Sequence, residues 1–205
     1  MSDHEDVDGA YISLQFERDR LMRSQIIYES IALEGAVDRL LACHFCPDDS
    51  KHDLFVSVLF GDGEVTFSRK IRMLKKVLKL CYPKLATAYA FLPNRLDKLR
   101  ELRNQFAHLK LDIPMKGIGA DLGKAEIKLR AIKDGQKTLH AISEAHITTV
   151  VNQCRDLKMA AIFLAIAIRT LSRGENDSEL LDDTALLGEQ IGKRLAVTTR
   201  RPNSR

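Results

Sequence analysis

Apolar residues recur at three- and four-residue steps along almost the whole chain. The pattern breaks clearly only once. Leu99, Leu102, Phe106 and Leu109 form one such stripe, with Leu96 at its edge. This is the spacing of a helix that buries a single face. Residues 10–45 read as one long amphipathic helix, with a break at Gly35 as the alternative. A loop at Pro47-Asp48-Asp49-Ser50 and a short apolar segment, Leu54 to Phe60, lead to the turn Gly61-Asp62-Gly63. Ser68 is placed to cap a helix that runs to Cys81 before Pro83. The stripe helix starts near Pro93-Asn94 and ends near Leu109, because Pro and Asn favour helix starts. Gly117, Gly119 and Gly123 mark a loop; their spacing departs from a dinucleotide-binding fingerprint.

The break lies at residues 125–142. Ile127, Leu129 and Ala131 alternate with Lys128, Arg130 and Lys133, and Asp134-Gly135 supplies a two-residue turn before Thr138, Leu139 and Ile142. Strict alternation around such a turn predicts a β-hairpin. Ser143 and Glu144 then open a long apolar helix to about Arg173. The expected architecture is all-α with one small accessory hairpin. Residues 1–173 form one helical domain. Residues 174–205 form a charged tail, acidic then basic, of the composition expected for disorder or a weak helix.

Several function classes fall away. The longest apolar run, Met159 to Ile168, is bounded by Lys158 and Arg169 and is shorter than the roughly 20 residues a membrane span needs. The N-terminus carries Asp3, Glu5, Asp6 and Asp8, the reverse of a signal peptide's basic start, so the cytoplasm is the expected location. Cys43-His44-Phe45-Cys46 is a lone C-x-x-C, and His52 and Cys81 complete no common zinc spacing. No metal and no cofactor are expected.

Chemistry concentrates in Arg103-Asn104-Gln105-Phe106-Ala107-His108. Arg presents a planar charged fork to phosphate oxygens, His exchanges protons near neutral pH, and Asn can orient either by hydrogen bonding. At roughly 100° per residue, Asn104 and His108 share the face opposite the stripe, while Arg103 lies about 140° from His108. The two meet only if the helix ends at His108 or if two copies pack together. The competing reading is that His108 caps a helix C-terminus, where the dipole favours a cation.

Charge distribution supports a polyanionic partner. Between Val65 and Leu96 there are eight basic residues and no acidic one, against a net charge of only +4 for the chain. Arg69, Arg72, Lys76 and Lys79 share one helical face, opposite Phe67, Ile71, Leu74 and Leu78. Such a stripe attracts phosphate backbones, though charge runs are commonly just solvated faces. In the first helix, Ile27, Ile31, Val37 and Leu41 read as the buried stripe, with Glu34 inside it and Asp38 at its margin. A buried carboxylate needs a cation. Arg103 is the expected partner of Glu34, unless Glu34 reaches solvent at the end of the bundle.

The R-N-x-x-A-H segment closing a core helix resembles the HEPN superfamily of all-helical domains. The upstream run from Leu59 to Ile71, with its F-S-x-K-I helix start at Phe67-Ser68-Arg69-Lys70-Ile71, is similar to the mannitol-repressor-like branch. The similarity covers roughly residues 25 to 110, about half the chain, and leaves the hairpin unexplained. It implies a helical bundle dimerising through the motif helices. Catalytic members are metal-independent ribonucleases, often toxins. Mannitol-repressor-like members are regulators without established nuclease activity. Carried onto this sequence, the motif residues are Arg103, Asn104 and His108. The expected function is RNA binding, with metal-independent cleavage at a composite dimer site; the alternative is a non-catalytic helical dimer regulating transcription. Expected partners are a second copy, RNA or another polyanion, and an antitoxin or regulator protein, without a membrane.

Overall fold

The computed structural model describes residues 3–61, 63–108, 110–111, 126–133, 136–174 and 178–198. Seven α-helices, a 3₁₀ turn at Asp49–Lys51 and a three-stranded antiparallel ribbon occur among them. They are α1 (Asp3–Phe45), α2 (His52–Phe60), α3 (Phe67–Cys81), α4 (Pro83–Ala88), α5 (Leu92–His108), β1 (Lys110–Leu111), β2 (Glu126–Lys133), β3 (Gln136–Ser143), α6 (Glu144–Ser172) and α7 (Ser178–Thr198). None of the described helices is long and apolar enough to cross a membrane.

Local chemistry sets most of the boundaries. Thr66, not Ser68, caps α3: its hydroxyl accepts from the Arg69 N–H at 3.4 Å. Pro83 occupies the first turn of α4, where its missing N–H costs nothing. Ser143 accepts from the His146 N–H at 3.2 Å and so opens α6. Gly174, at φ +75°, ends α6 in the left-handed conformation glycine tolerates. α1 runs unbroken through Gly35. The hairpin register runs from Glu126 opposite Ser143 to Lys133 opposite Gln136, as the alternation predicts. The turn residues Asp134-Gly135 and the glycines 117, 119 and 123 lie outside the described residues. β1 was not anticipated: Lys110 pairs with Arg130 and Leu111 with Leu129.

The chain packs as two compact units. One comprises Met1–Tyr28 and Leu102–Val151; the other comprises Glu29–Glu101 and Asn152–Arg205. In the first, Met22, Ile26, Phe106, Ile142, Ile147 and Val150 are buried. In the second, Leu33, Val37, Leu40 and Leu41 of α1, Leu74 and Leu78 of α3, and Leu157, Leu164 and Ile168 of α6 supply much of the core. The expected α1 stripe holds at Val37 and Leu41, both fully buried, but not at its first half, where Ile31 is 57 % exposed and Ile26 and Leu33 are buried instead.

Two segments that the sequence left open are helical. The apolar segment Leu54–Phe60 is helical, within α2. The tail, read as disorder or a weak helix, forms α7 over residues 178–198. Its inner face packs on Tyr89, a fully buried ring whose hydroxyl donates to the Thr184 carbonyl at 2.9 Å. Gly188 is the reason the ring fits, since a Cβ there would lie 2.6 Å from it. Arg95 adds a hydrogen bond to the Leu195 carbonyl at 3.2 Å.

Candidate functional site

The last turns of α5 carry the three motif residues. Phe106 is buried and anchors that part of the helix in its unit. Arg103 and Asn104 are half-buried, and His108 is exposed. Among the described residues, none of the three side chains has a hydrogen bond or ion pair. His108 is the last residue of α5, and β1 begins two residues later. The helix thus ends at His108, one of the two conditions for Arg103 and His108 to meet; up to that residue it keeps them about 140° apart.

A neighbouring cation holds that helix end. Both carboxylate oxygens of Asp19 lie 2.8 Å from Arg23 Nε. Arg23 Nη1 in turn donates to the Phe106 carbonyl at 2.6 Å. The last carbonyls of a helix have no intrahelical donor, and a guanidinium satisfies one while complementing the dipole. The capping task considered for His108 is thus performed by Arg23 at Phe106, two residues upstream. Sequence reading missed Arg23 because nothing local to α5 announces it. In the same unit, Arg18 and Glu144 approach to 3.4 Å.

In the other unit, α3 presents the basic stripe. Arg69, Arg72, Lys76 and Lys79 are all exposed, as is Lys75. Among the described residues, none of the five has an acidic partner. Like charges three and four residues apart on a helix disfavour it by several tenths of a kcal/mol per pair. The stripe is therefore maintained against a small stability cost.

Lys70, counted in the same basic run, behaves differently. It is 3 % exposed and points into the core beside the Phe60 ring, with Nζ 5.1 Å from the ring centroid. Its ammonium donates to Glu34 Oε1 at 3.0 Å and to Asp38 Oδ2 at 2.9 Å. Asp38 Oδ1 is buried as well and lies 2.9 Å from the same ammonium. Burial pushes the Asp38 carboxyl above its ordinary 3.8, and the Lys70 hydrogen bond and charge pull against that shift. So the cation that answers Glu34 within its own unit is Lys70. Arg103, the expected partner, belongs to the other unit. A lysine one turn before Leu74 and next to Ile71 was the available signal, because those residues share the buried face.

The C-x-x-C cysteines play separate parts. Cys43 is buried and its thiol is pushed up by burial. Cys46 Sγ lies 3.5 Å from the Asp48 carbonyl. His52 Nε2 lies 2.7 Å from the Cys46 carbonyl, a contact that requires the proton on Nε2. Among the described residues, no group of three or more His, Cys, Asp or Glu is placed to hold a metal ion. His44 Nδ1, Tyr82 Oη and Ser172 Oγ form a short chain, at 3.0 Å and 3.2 Å, that ties α1, the α3–α4 junction and α6 together.

No family model, no curated protein and no solved structure matches this chain.

Proposed function

We propose that this chain is a HEPN-like RNA-binding protein of the toxin or defence type, cleaving RNA without a metal at a site that two copies share. The observation that carries this reading is the α3 stripe: cations on one exposed face without acidic partners among the described residues. Strand association through such a face is electrostatic and independent of sequence. The exposed His108 supplies an imidazole accessible to substrate. Its separation from Arg103 on one helix favours a composite arrangement, with Arg103 of one copy working beside His108 of the other.

In the cleavage step, His108 takes the proton of a ribose 2′-hydroxyl. The 2′-oxygen attacks the adjacent phosphorus, and the bond from phosphorus to the 5′-oxygen breaks. The leaving oxygen receives a proton from an imidazolium, leaving a 2′,3′-cyclic phosphate and a 5′-hydroxyl. Arg103 neutralises the charge on the equatorial oxygens, and Asn104 holds the imidazole orientation. Single-stranded RNA incubated in excess chelator tests this. Wild type should give cyclic-phosphate ends, and His108→Ala should lose about 10²- to 10⁴-fold in rate. Equal cleavage by both proteins would remove His108 from the chemistry.

A second reading has its own observation. The Asp19–Arg23–Phe106 network stabilises the end of α5 without any catalytic task. On that reading the chain is a non-catalytic dimer regulating transcription in the mannitol-repressor manner, or engaging an antitoxin or regulator protein. Wild type would then bind nucleic acid and show no cleavage in chelator.

A further inference from the structure

The second unit contains a groove of about 800 Å³ between α1, the start of α2 and α6. Ala32 and Ala36 of α1, with Ile162 and Ile166 of α6, give it an apolar floor. Both isoleucines remain exposed in the single chain. Beside the groove, α2 turns its own apolar residues outward. Leu54 and Val58, one turn apart, are each 64 % exposed, and Leu59 is 46 % exposed. A nine-residue helix with six apolar residues that exposes three aliphatic side chains has a face without a partner among the described residues.

Two charges on the groove decide which partner fits. Arg39, on α1, and Asp53, in the first turn of α2, both line it. Both are exposed, and neither has an ion-pair partner among the described residues. The two have opposite sign and stand on different elements. A surface holding a groove, a protruding apolar helix, one free cation and one free anion is complementary to itself. That is the requirement of a two-fold contact, in which residue i of one copy meets residue j of the other and j meets i.

We propose that a second copy of this chain docks here. Each copy lays the Leu54–Val58 face of α2 into the other's groove, and Arg39 of each pairs with Asp53 of the other. At about 1.5 Å per residue, α2 is about 14 Å long. It therefore presents two turns to the floor, and the small side chains of Ala32 and Ala36 let its backbone approach closely. This contact goes beyond the RNA-binding reading and does not depend on it.

Sedimentation of the full chain at tens of micromolar tests the proposal, with circular dichroism confirming the fold of each variant. Leu54 and Val58 are exposed, so Leu54→Lys with Val58→Lys should leave helix content unchanged. The pair of changes should lower the number of copies per particle, a dimer held by this contact falling to single chains. Two-fold symmetry repeats the ion pair. Arg39→Glu or Asp53→Arg alone should therefore weaken self-association about tenfold, and the two together should restore it to within a few-fold of wild type. His108→Ala should retain the wild-type response to these α2 changes. A wild-type protein that sediments as a single copy would overturn the proposal. So would a copy number indifferent to the α2 changes, as would a double charge exchange no better than either single one. Loss of RNA cleavage with this pattern intact would count against the catalytic reading alone.

Discussion

Replacing Lys70 with Met keeps most of the side-chain volume and removes the charge that Glu34 and Asp38 share. Breaking a buried ion pair by removing one partner costs about 3–5 kcal/mol, chiefly because a buried charge is left without compensation. Here that cost has a ceiling which depends on pH. Glu34 is 30 % exposed at its side chain and can recover some hydration, whereas Asp38 is 10 % exposed and cannot. Asp38 can escape only by taking up a proton. From its ordinary 3.8, forcing that proton on costs about 1.36 kcal/mol per pH unit, or about 4.4 kcal/mol at pH 7 and about 1.6 kcal/mol at pH 5. The charge part of Asp38's contribution to the Lys70→Met deficit cannot exceed those figures.

The sign follows from the same carboxyl. In wild type, burial raises Asp38, while the Lys70 hydrogen bond and charge lower it. Lys70→Met deletes both lowering influences, so the folded-state value climbs further. A carboxyl raised on folding contributes stability that is fully present below 3.8 and is lost as pH rises through the folded value. The variant should therefore be worst at neutral pH and approach wild type on acidification. Urea unfolding should show about 3–4 kcal/mol lost at pH 7 and less than half of that at pH 5. Asp38→Asn added to Lys70→Met should recover most of the pH 7 loss. A deficit of the same size at both pH values would refute the reasoning and assign the cost to packing around Phe60.

Four substitutions or comparisons probe the rest. Gly188→Ala drives a methyl into the buried Tyr89 ring and should cost about 1–3 kcal/mol in chemical denaturation. Gly35→Ala meets nothing within 4 Å in the middle of α1 and should stabilise by up to about 1 kcal/mol. Burial lowers His44 below its ordinary 6.5, so its contribution is present above 6.5 and is lost as pH falls through the lowered value; that acid-side loss should be missing from the pH–stability profile of His44→Gln. Neutralising Arg69, Arg72, Lys76 and Lys79 with Gln should reduce the slope of log K against log salt for single-stranded RNA by up to about 3, at about 0.7 per lost phosphate contact; an unchanged slope would show that the stripe does not touch the strand.

How much of this was legible depends on whether a residue's role is local. α5, α6 and the β2–β3 pairing follow from spacing alone: three- and four-residue steps in the helices, alternation in the strands. α7 was hidden because its buried face is Thr184, Gly188, Ile191 and Leu195. The positions have helical spacing, but two of the four side chains are not apolar. Gly188 is small because Tyr89, nearly a hundred residues earlier, needs the space. α2 was hidden for the opposite reason: a short run that is apolar at every position but Ser57 has no period to read. α1 offered two apolar phases, and the one through Ile27 and Ile31 competed with the one that is buried, through Ile26, Leu33, Val37 and Leu40.

Partner choice was harder still. That Glu34 needs a cation follows from its stripe, but every helix with a basic residue at its apolar edge is a candidate. Arg103 and Lys70 are equivalent by that criterion until the helices are packed. Lys70 has a further property that no charge count conveys: four-residue spacing puts it in line with Leu74, so helix geometry carries it inward while Arg69 and Arg72 point outward. Adjacent residues of one basic run thus serve opposite ends, one neutralising two buried carboxylates and the others leaving an exposed face positive. The motif at the end of α5 divides in the same way. Its residue types announce phosphate chemistry, yet the 140° between Arg103 and His108 is fixed by the helix. Whether they act together therefore turns on His108 standing at the very end of α5 and on a second chain, neither of which one helix's periodicity contains.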